Sequence, residues 1–350
     1  MNLLIRADAS VAMGTGHVMR CLALAQAWQD AGGRAIFAMA ESTDAIRSRL
    51  AAESCEVVQV LGTAGGLDDS SETVRLAAAH KARWVVVDGY QFGGRYQLAL
   101  KEAGCKILFL DDNGHARHYS ADLVLNQNAY PGEDLYCDRD SGTELLLGLP
   151  YAMLRREFRA WRDRKFDTRK NGGRVVVTLG GSDAGNLTPR VIAALEQLGP
   201  GTVEARVVAG GSNPNARELE RAEATSRIDL CLLRNVTNMP ELMAWADVAV
   251  SAAGTTVLEL AFMGVPTILV TVADHQKPNA LACERLGIAE SMGDLVKLSS
   301  AQLAAAVSGL MADFERRRKM TLTARSLVDG RGADRVVARL MAASESKGGE

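Results

Sequence analysis

Short, continuous apolar runs alternate with amphipathic stretches along the whole chain. In the first half, residues 3–7, 35–39, 57–60, 84–87, 107–110 and 123–125 read as buried strands. Val18, Cys21, Leu22, Ala25 and Trp28 recur at helical spacing until Gly32-Gly33 stops the helix. Further helices are predicted near 43–52, from Asp69 to about Lys81, and up to Glu102, and Asp69 with Glu72 three residues on has the form of a capping box. Continuous apolar strands separated by helices predict a parallel sheet covered on both faces. The pattern restarts at Arg174, with strands at 174–179, 203–208, 228–232, 248–250 and 266–270. Helices are expected at 187–198, from Asn238 with Pro240 in its first turn, and up to Leu286.

Two α/β domains follow from this repetition: residues 1–155, a charged helix and linker at 156–173, and residues 174–350 with a C-terminal helix. The polar end, 344–350, is expected to be disordered. A chain of 350 residues is long enough for two cores. Forty basic residues against forty-two acidic ones give no electrostatic reason to expect nucleic acid or a membrane surface as partner. No apolar run is long enough to span a bilayer, and the first residues enter a strand without a signal core, so a cytoplasmic protein is predicted. Six cysteines stand singly and read as reduced core thiols. Monomer is the default expectation.

In doubly wound sheets ligands sit beyond the carboxyl ends of the strands. Asp88, Tyr90, Asp111, Asp112 and Asn126 fall at such ends, on the same rim as the turn containing Gly14, Gly16, His17 and Arg20. Glycines between a strand and a helix let the backbone approach an anionic ligand at the helix N-terminus. His17, at the mouth of that helix, is a candidate general base, with Asp88 or Asp111 available to orient it. Arg155 opens the charged run and can reach a ligand. In the second half, Gly180-Gly181-Ser182-Asp183 follows a strand, and Ser251-Ala252-Ala253-Gly254-Thr255-Thr256 follows another. Small residues there expose backbone N–H groups suited to a diphosphate. Glu259, one turn into the next helix, is a candidate acceptor for a ribose diol, and the loop 274–279 with His275 flanks the same turn. A dinucleotide dehydrogenase is disfavoured, since Met19 stands where the third glycine of Gly-x-Gly-x-x-Gly belongs.

Gly254-Thr255, Glu259, Gly264-x-Pro266 and Gln276-x-x-Asn279 resemble nucleotide-sugar enzymes of the GT-B fold, close to MurG-type N-acetylglucosaminyltransferases. The first half is more specific. Arg6-x-Asp8-x-Ser10, Gly14-x-Gly16-His17-x-x-Arg20, Asp88-x-Tyr90, Asp111-Asp112, Leu125-Asn126-x-Asn128-Ala129-Tyr130 and Gly148-x-x-Tyr151-Ala152-x-x-Arg155-x-Glu157-Phe158 resemble the PseG family of pseudaminic acid biosynthesis. The resemblance implies two doubly wound parallel-sheet domains facing a central cleft. It also implies inverting hydrolysis of UDP-2,4-diacetamido-2,4,6-trideoxy-β-L-altropyranose to UDP and 2,4-diacetamido-2,4,6-trideoxy-L-altrose. His17 is then the base for water, and Gly14, Gly16, Arg20, Asp88, Tyr90, Asn126 and Arg155 contact the sugar. Gly181, Ser182, Gly254, Thr255, Thr256, Glu259, Gln276 and Asn279 hold the nucleotide, with no cofactor and no metal. The alternatives are a GT-B glycosyltransferase, with His17 activating an acceptor hydroxyl, and a non-catalytic nucleotide-sugar-binding protein.

Overall fold

The computed structural model describes residues 1–10, 13–164, 168–210 and 213–345. The chain forms two compact units, one of residues 1–156 with 331 onward and one of residues 157–330.

In the first unit, seven parallel strands are β1 (Asn2–Ala7), β2 (Arg34–Met39), β3 (Glu56–Gln59), β4 (Ala82–Asp88), β5 (Lys106–Leu110), β6 (Leu123–Asn126) and β7 (Glu144–Leu147). Their order is β3-β2-β1-β4-β5-β6-β7. The continuous apolar runs have a simple cause, because alternate residues enter two different cores. Leu3, Ile5, Trp84, Val86 and Leu108 face one core, and Leu4, Ile36, Val85, Val87 and Phe109 face the other. Helix α1 (Gly16–Asp30) closes the first of these with Val18, Cys21, Leu22, Ala25 and Trp28.

The last helix, Gly332–Glu345, belongs to this unit and not, as the sequence suggested, to the second. Its stripe Ala333, Val336, Val337 and Leu340 is buried in the same core as α1, which is where its apolar face finds a partner. It runs into the stretch expected to be disordered, and 346–350 lie outside the described residues. Among its described residues the charged linker is helical only over Arg156–Arg159; residues 165–167 lie outside them.

Asp69 is not a helix cap. The helix starts at Leu67 with Gly66 as its cap residue, and Glu72 pairs instead with Arg75. Asp69 is buried and accepts Arg6 Nε and Nη2 at 2.9 and 2.8 Å, while Asp8 accepts Arg6 Nη1 at 2.7 Å. Asp8 also takes the amides of Ala40 and Glu41, and Asp69 that of Gly65. One buried guanidinium thus ties the end of β1 to the loops after β2 and before that helix. Burial opposes the Arg6 charge, but the two carboxylates outweigh it and raise its pKa well above the usual value.

The second unit repeats the topology with β8 (Arg174–Thr178), β9 (Glu204–Ala209), β10 (Asp229–Arg234), β11 (Val248–Ala252), β12 (Thr267–Thr271) and β13 (Glu290–Asp294). All are parallel, in the order β10-β9-β8-β11-β12-β13. Strand β13 is half-buried and carries only Met292 as a large apolar residue, so the hydrophobic pattern did not reveal it. Cys137 and Cys231 are exposed, which corrects the expectation of uniformly core thiols; Cys21, Cys55 and Cys283 are buried. Among the described residues, no helix is long and apolar enough to cross a membrane.

Truncating Leu340 to Ala should destabilise the first unit by about 2–5 kcal/mol. Hydrogen exchange followed by mass spectrometry should then show faster exchange in β1 and α1, with peptides from 174–330 unchanged.

Candidate active site

In the first sheet the connections reverse direction between β1 and β4, and the register sets Ala7 beside Asp88 at their carboxyl ends. Such a switch point leaves a crevice for a ligand. The turn after β1 brings α1 to it: Gly14, in the left-handed region at φ 79°, donates its amide to Ser10 O at 2.8 Å, and the helix begins at Gly16. His17, Arg20 and Cys21 stand at i, i+3 and i+4, on one face of α1, and all three reach Asp88.

His17 Nδ1 lies 2.7 Å from Asp88 Oδ1. An ionised carboxylate only accepts, so Nδ1 carries a proton, and in the neutral imidazole Nε2 is the nitrogen with the lone pair. Arg20 donates Nε to Asp88 Oδ2 and Nη2 to Oδ1, both at 2.6 Å, and Cys21 Sγ donates to Oδ2 at 3.4 Å. Asp88 is fully buried. Burial pushes its carboxyl up, but the Arg20 and His17 charges and hydrogen bonds prevail and hold it well below the usual carboxylate range. Of the two carboxylates that the sequence left open as partners of His17, Asp88 takes the role. Asp111 instead caps its own loop through the amides of Asn113, Gly114 and His115 and accepts from Tyr119.

Tyr90 packs edge-on against His17, with ring centres 5.0 Å apart and planes at 84°, and is 41 % exposed. His17 itself is 8 % exposed. Behind Tyr90 stands His115, held by Asp111 at 3.0 Å and by Phe92 O at 2.9 Å. Several residues expected to touch a sugar are instead committed inward. The Arg20 guanidinium is shared between Asp88 and Asp112, and Asn126 donates to Asp112 O and to the Tyr136 hydroxyl. Arg155 is largely buried. Asp112 and Asn128 were visible only as members of a rim and a motif. Their part here, Asp112 gripping Arg20 and Asn128 gripping Asp112, needed the β5 and β6 ends side by side.

The second sheet reverses at β8 and β11, and the glycine-rich turns lie beyond those two strands. Helix α2 (Thr256–Met263) begins two residues after Gly254, so the amides of its first turn point toward the rim. Glu259 is in that first turn and half-buried. Asn279 donates to Ala253 O at 3.2 Å and Gln276 accepts from Val272 N at 3.0 Å, which pins the loop 274–279 against the turn. His275 is exposed. Gly181 packs so closely on Gly210 that a Cβ on Gly210 would collide with the Gly181 backbone. Ser182 is half-buried beside it, whereas Asp183 caps the helix Thr188–Leu195 through Thr188 N and Oγ1.

Comparison with known proteins gives the fold a name. The glycosyltransferase family 28 C-terminal domain matches residues 174–333. The solved structure of Acinetobacter baumannii MurG superposes with a TM-score of 0.66 at 19 % identity, covering 97 % of this chain and 99 % of that one. The chain has the GT-B fold. An uncharacterised protein of Methanocaldococcus jannaschii is 26 % identical over 285 residues, 79 % of this chain and 57 % of that protein. The UDP-2,4-diacetamido-2,4,6-trideoxy-β-L-altropyranose hydrolase of Campylobacter jejuni is 27 % identical over 227 residues, 63 % of this chain and 74 % of the hydrolase. A UDP-N-acetylglucosamine–N-acetylmuramyl-(pentapeptide) pyrophosphoryl-undecaprenol N-acetylglucosamine transferase of Acidithiobacillus ferrooxidans is 30 % identical over 179 residues, 50 % of this chain and 49 % of the transferase. The chain therefore spans less than three fifths of the first of these relatives and about half of the transferase. In this GT-B chain the two switch points differ in kind: the first is lined by titratable groups, the second by small residues and backbone amides.

Replacing Asp88 with Asn should cost about 3–5 kcal/mol, because it strips a buried cation of a partner. The depressed Asp88 pKa means that its stabilisation is complete above the unfolded carboxyl pKa of about 4 and is lost as pH falls through the lower folded value. Urea unfolding across that range should show the wild type losing stability toward acid more steeply than the variant.

Proposed function

We propose that this chain is an enzyme that breaks the anomeric C–O bond of a UDP-sugar. The turn at Gly254–Thr256, with Glu259, Gln276, Asn279, Gly181 and Ser182, is the nucleotide site, and His17 is the general base. The observation that carries this reading is the His17–Asp88 pair. With Nδ1 committed to Asp88, Nε2 is free to take a proton from a nucleophile. As the nucleophile's oxygen bonds to the anomeric carbon from the face opposite UDP, its proton passes to Nε2. The bond from that carbon to the phosphate oxygen breaks, and the configuration inverts. UDP leaves as an anion that needs charge stabilisation more than protonation, which the amide-rich start of α2 supplies. Gly14, Gly16 and Tyr90 are proposed sugar contacts, while Arg20, Asp88 and Asn126 act from behind by holding the base and its loops.

The nucleophile distinguishes two readings. Transfer to an acceptor hydroxyl is better backed by the comparisons as a set, since the matching domain is named for glycosyltransferases and named transferases outnumber the hydrolase. Attack by water, releasing 2,4-diacetamido-2,4,6-trideoxy-L-altrose for pseudaminic acid, is favoured by the reach of one alignment. The Campylobacter jejuni hydrolase matches 63 % of this chain, against 50 % for the transferase above.

The deciding assay is UDP release from UDP-2,4-diacetamido-2,4,6-trideoxy-β-L-altrose in buffer. Turnover without an acceptor, reduced about 10²–10⁴-fold in His17→Ala while UDP still binds, is expected for hydrolysis. UDP release that waits for an added acceptor alcohol assigns transfer. UDP release from His17→Ala at the wild-type rate refutes the role given to His17.

A further inference from the structure

Asp112 stands outside the hydrogen bond that orients His17, yet it collects donors from every side. Arg20 Nη1 donates to both its oxygens, at 2.7 and 2.8 Å, and Asn128 Nδ2 donates to Oδ1 at 2.7 Å. The Tyr90 hydroxyl donates to Oδ2 at 3.3 Å. The Asp112 main-chain carbonyl accepts from Asn126 Nδ2 at 3.0 Å and from the Tyr130 hydroxyl. Its side chain is only 16 % exposed.

A guanidinium is planar and rigid, so its two ends cannot move independently. One end of Arg20 grips Asp112, and the other grips Asp88 through Nε and Nη2. Nη2 also lies 3.3 Å from His17 Nδ1. Both of those atoms are donors, so no bond joins them; the Arg20 charge opposes a positive charge on the imidazole. Asp112 offsets that charge from the far side of the same group.

We propose that Asp112 is a positioning residue for His17, acting through the guanidinium it shares with Asp88. The inference rests on the reading of His17 as the base. From α1, His17 faces Arg20 directly and Cys21 by way of Asp88; from the end of β4 it faces Asp88 and Tyr90. Beyond β5 stand Asp112, through Arg20, and His115, whose ring is 6.0 Å from that of Tyr90; beyond β6 stands the neutral Asn128.

Asp112→Asn keeps the size of the side chain and removes its charge. Arg20 is then less balanced and less firmly held, and the protonated imidazole is disfavoured. The acidic limb of the kcat–pH profile should move about one unit toward lower pH. The kcat at neutral pH should fall about tenfold, with KM within about twofold of wild type. Asp112→Glu, which restores the charge, should bring the limb back. Asn128→Ala, which removes one donor to Asp112 but keeps its charge, should lower kcat by less than Asp112→Asn and leave the limb near its wild-type position.

A second readout needs no substrate. In proton–nitrogen spectra of the histidines, the His17 Nδ1–H held by Asp88 should give a slowly exchanging downfield signal in the wild type. That signal should broaden or vanish in Asp112→Asn and weaken in Asn128→Ala. An unchanged signal together with an unchanged pH limb overturns the inference, whatever the rate. A lost signal accompanied by wild-type turnover in His17→Ala instead defeats the base assignment and leaves the coupling standing.

Discussion

The rim of the first sheet depends on one carboxylate taken wholly out of water. Asp88 ends the central strand β4, and nothing of it reaches solvent. An isolated charge in that position is heavily penalised, so its neighbours must compensate. The forked guanidinium of Arg20 supplies two of the hydrogen bonds and the opposing charge, and the Cys21 thiol supplies a weaker one. What remains of the carboxylate's demand falls on His17 Nδ1, which is thereby fixed in tautomer and direction. The arrangement that keeps the strand end stable also aims the His17 imidazole.

The sheet topology makes this encounter possible. Because β1 and β4 are neighbours whose connections run opposite ways, the helix after β1 starts directly beside the end of β4. The second domain repeats the order of strands but puts small residues and main-chain amides at the corresponding point. The same strand order carries a histidine and buried carboxylates in one half and a turn of small residues in the other. Fold and chemistry are separable in this way, since sites are set by the residues at strand ends.

Buried arginines recur as fasteners. Arg6, between Asp8 and Asp69, binds the rim loops of the first sheet to one another. Arg317, fully buried in the second unit, donates to the carbonyls of Leu310 and Met311 at a helix end and to those of Arg169 and Lys170 where the chain approaches β8. Carboxylates hold the first and main-chain carbonyls the second. The outcomes differ: two carboxylates outweigh the desolvation of Arg6 and raise its pKa well above normal, whereas desolvation prevails at Arg317 and lowers its pKa.

Most of the architecture was legible in the sequence, because strands buried on both faces must be apolar at every position and helices between them must alternate. The turns at Gly14–His17 and Gly254–Thr256 were legible too, since glycines and small residues between an apolar strand and a helix mark a tight turn. Edge strand β13 escaped because, half-buried, it is not required to be apolar throughout. The capping-box reading of Asp69 failed because local spacing carries no information about Arg6, sixty-three residues away. The last helix shows the same limit. Its apolar stripe declared that it must pack, but only tertiary structure decided that its partner is α1. At the site, the sequence by itself singled out His17 and a short list of carboxylates at strand ends. The choice of Asp88 over Asp111, and the commitment of Arg20 to the protein interior, were set by which strands lie side by side. Periodicity fixes what a residue must bury, whereas pairing of distant charges is decided by register and adjacency.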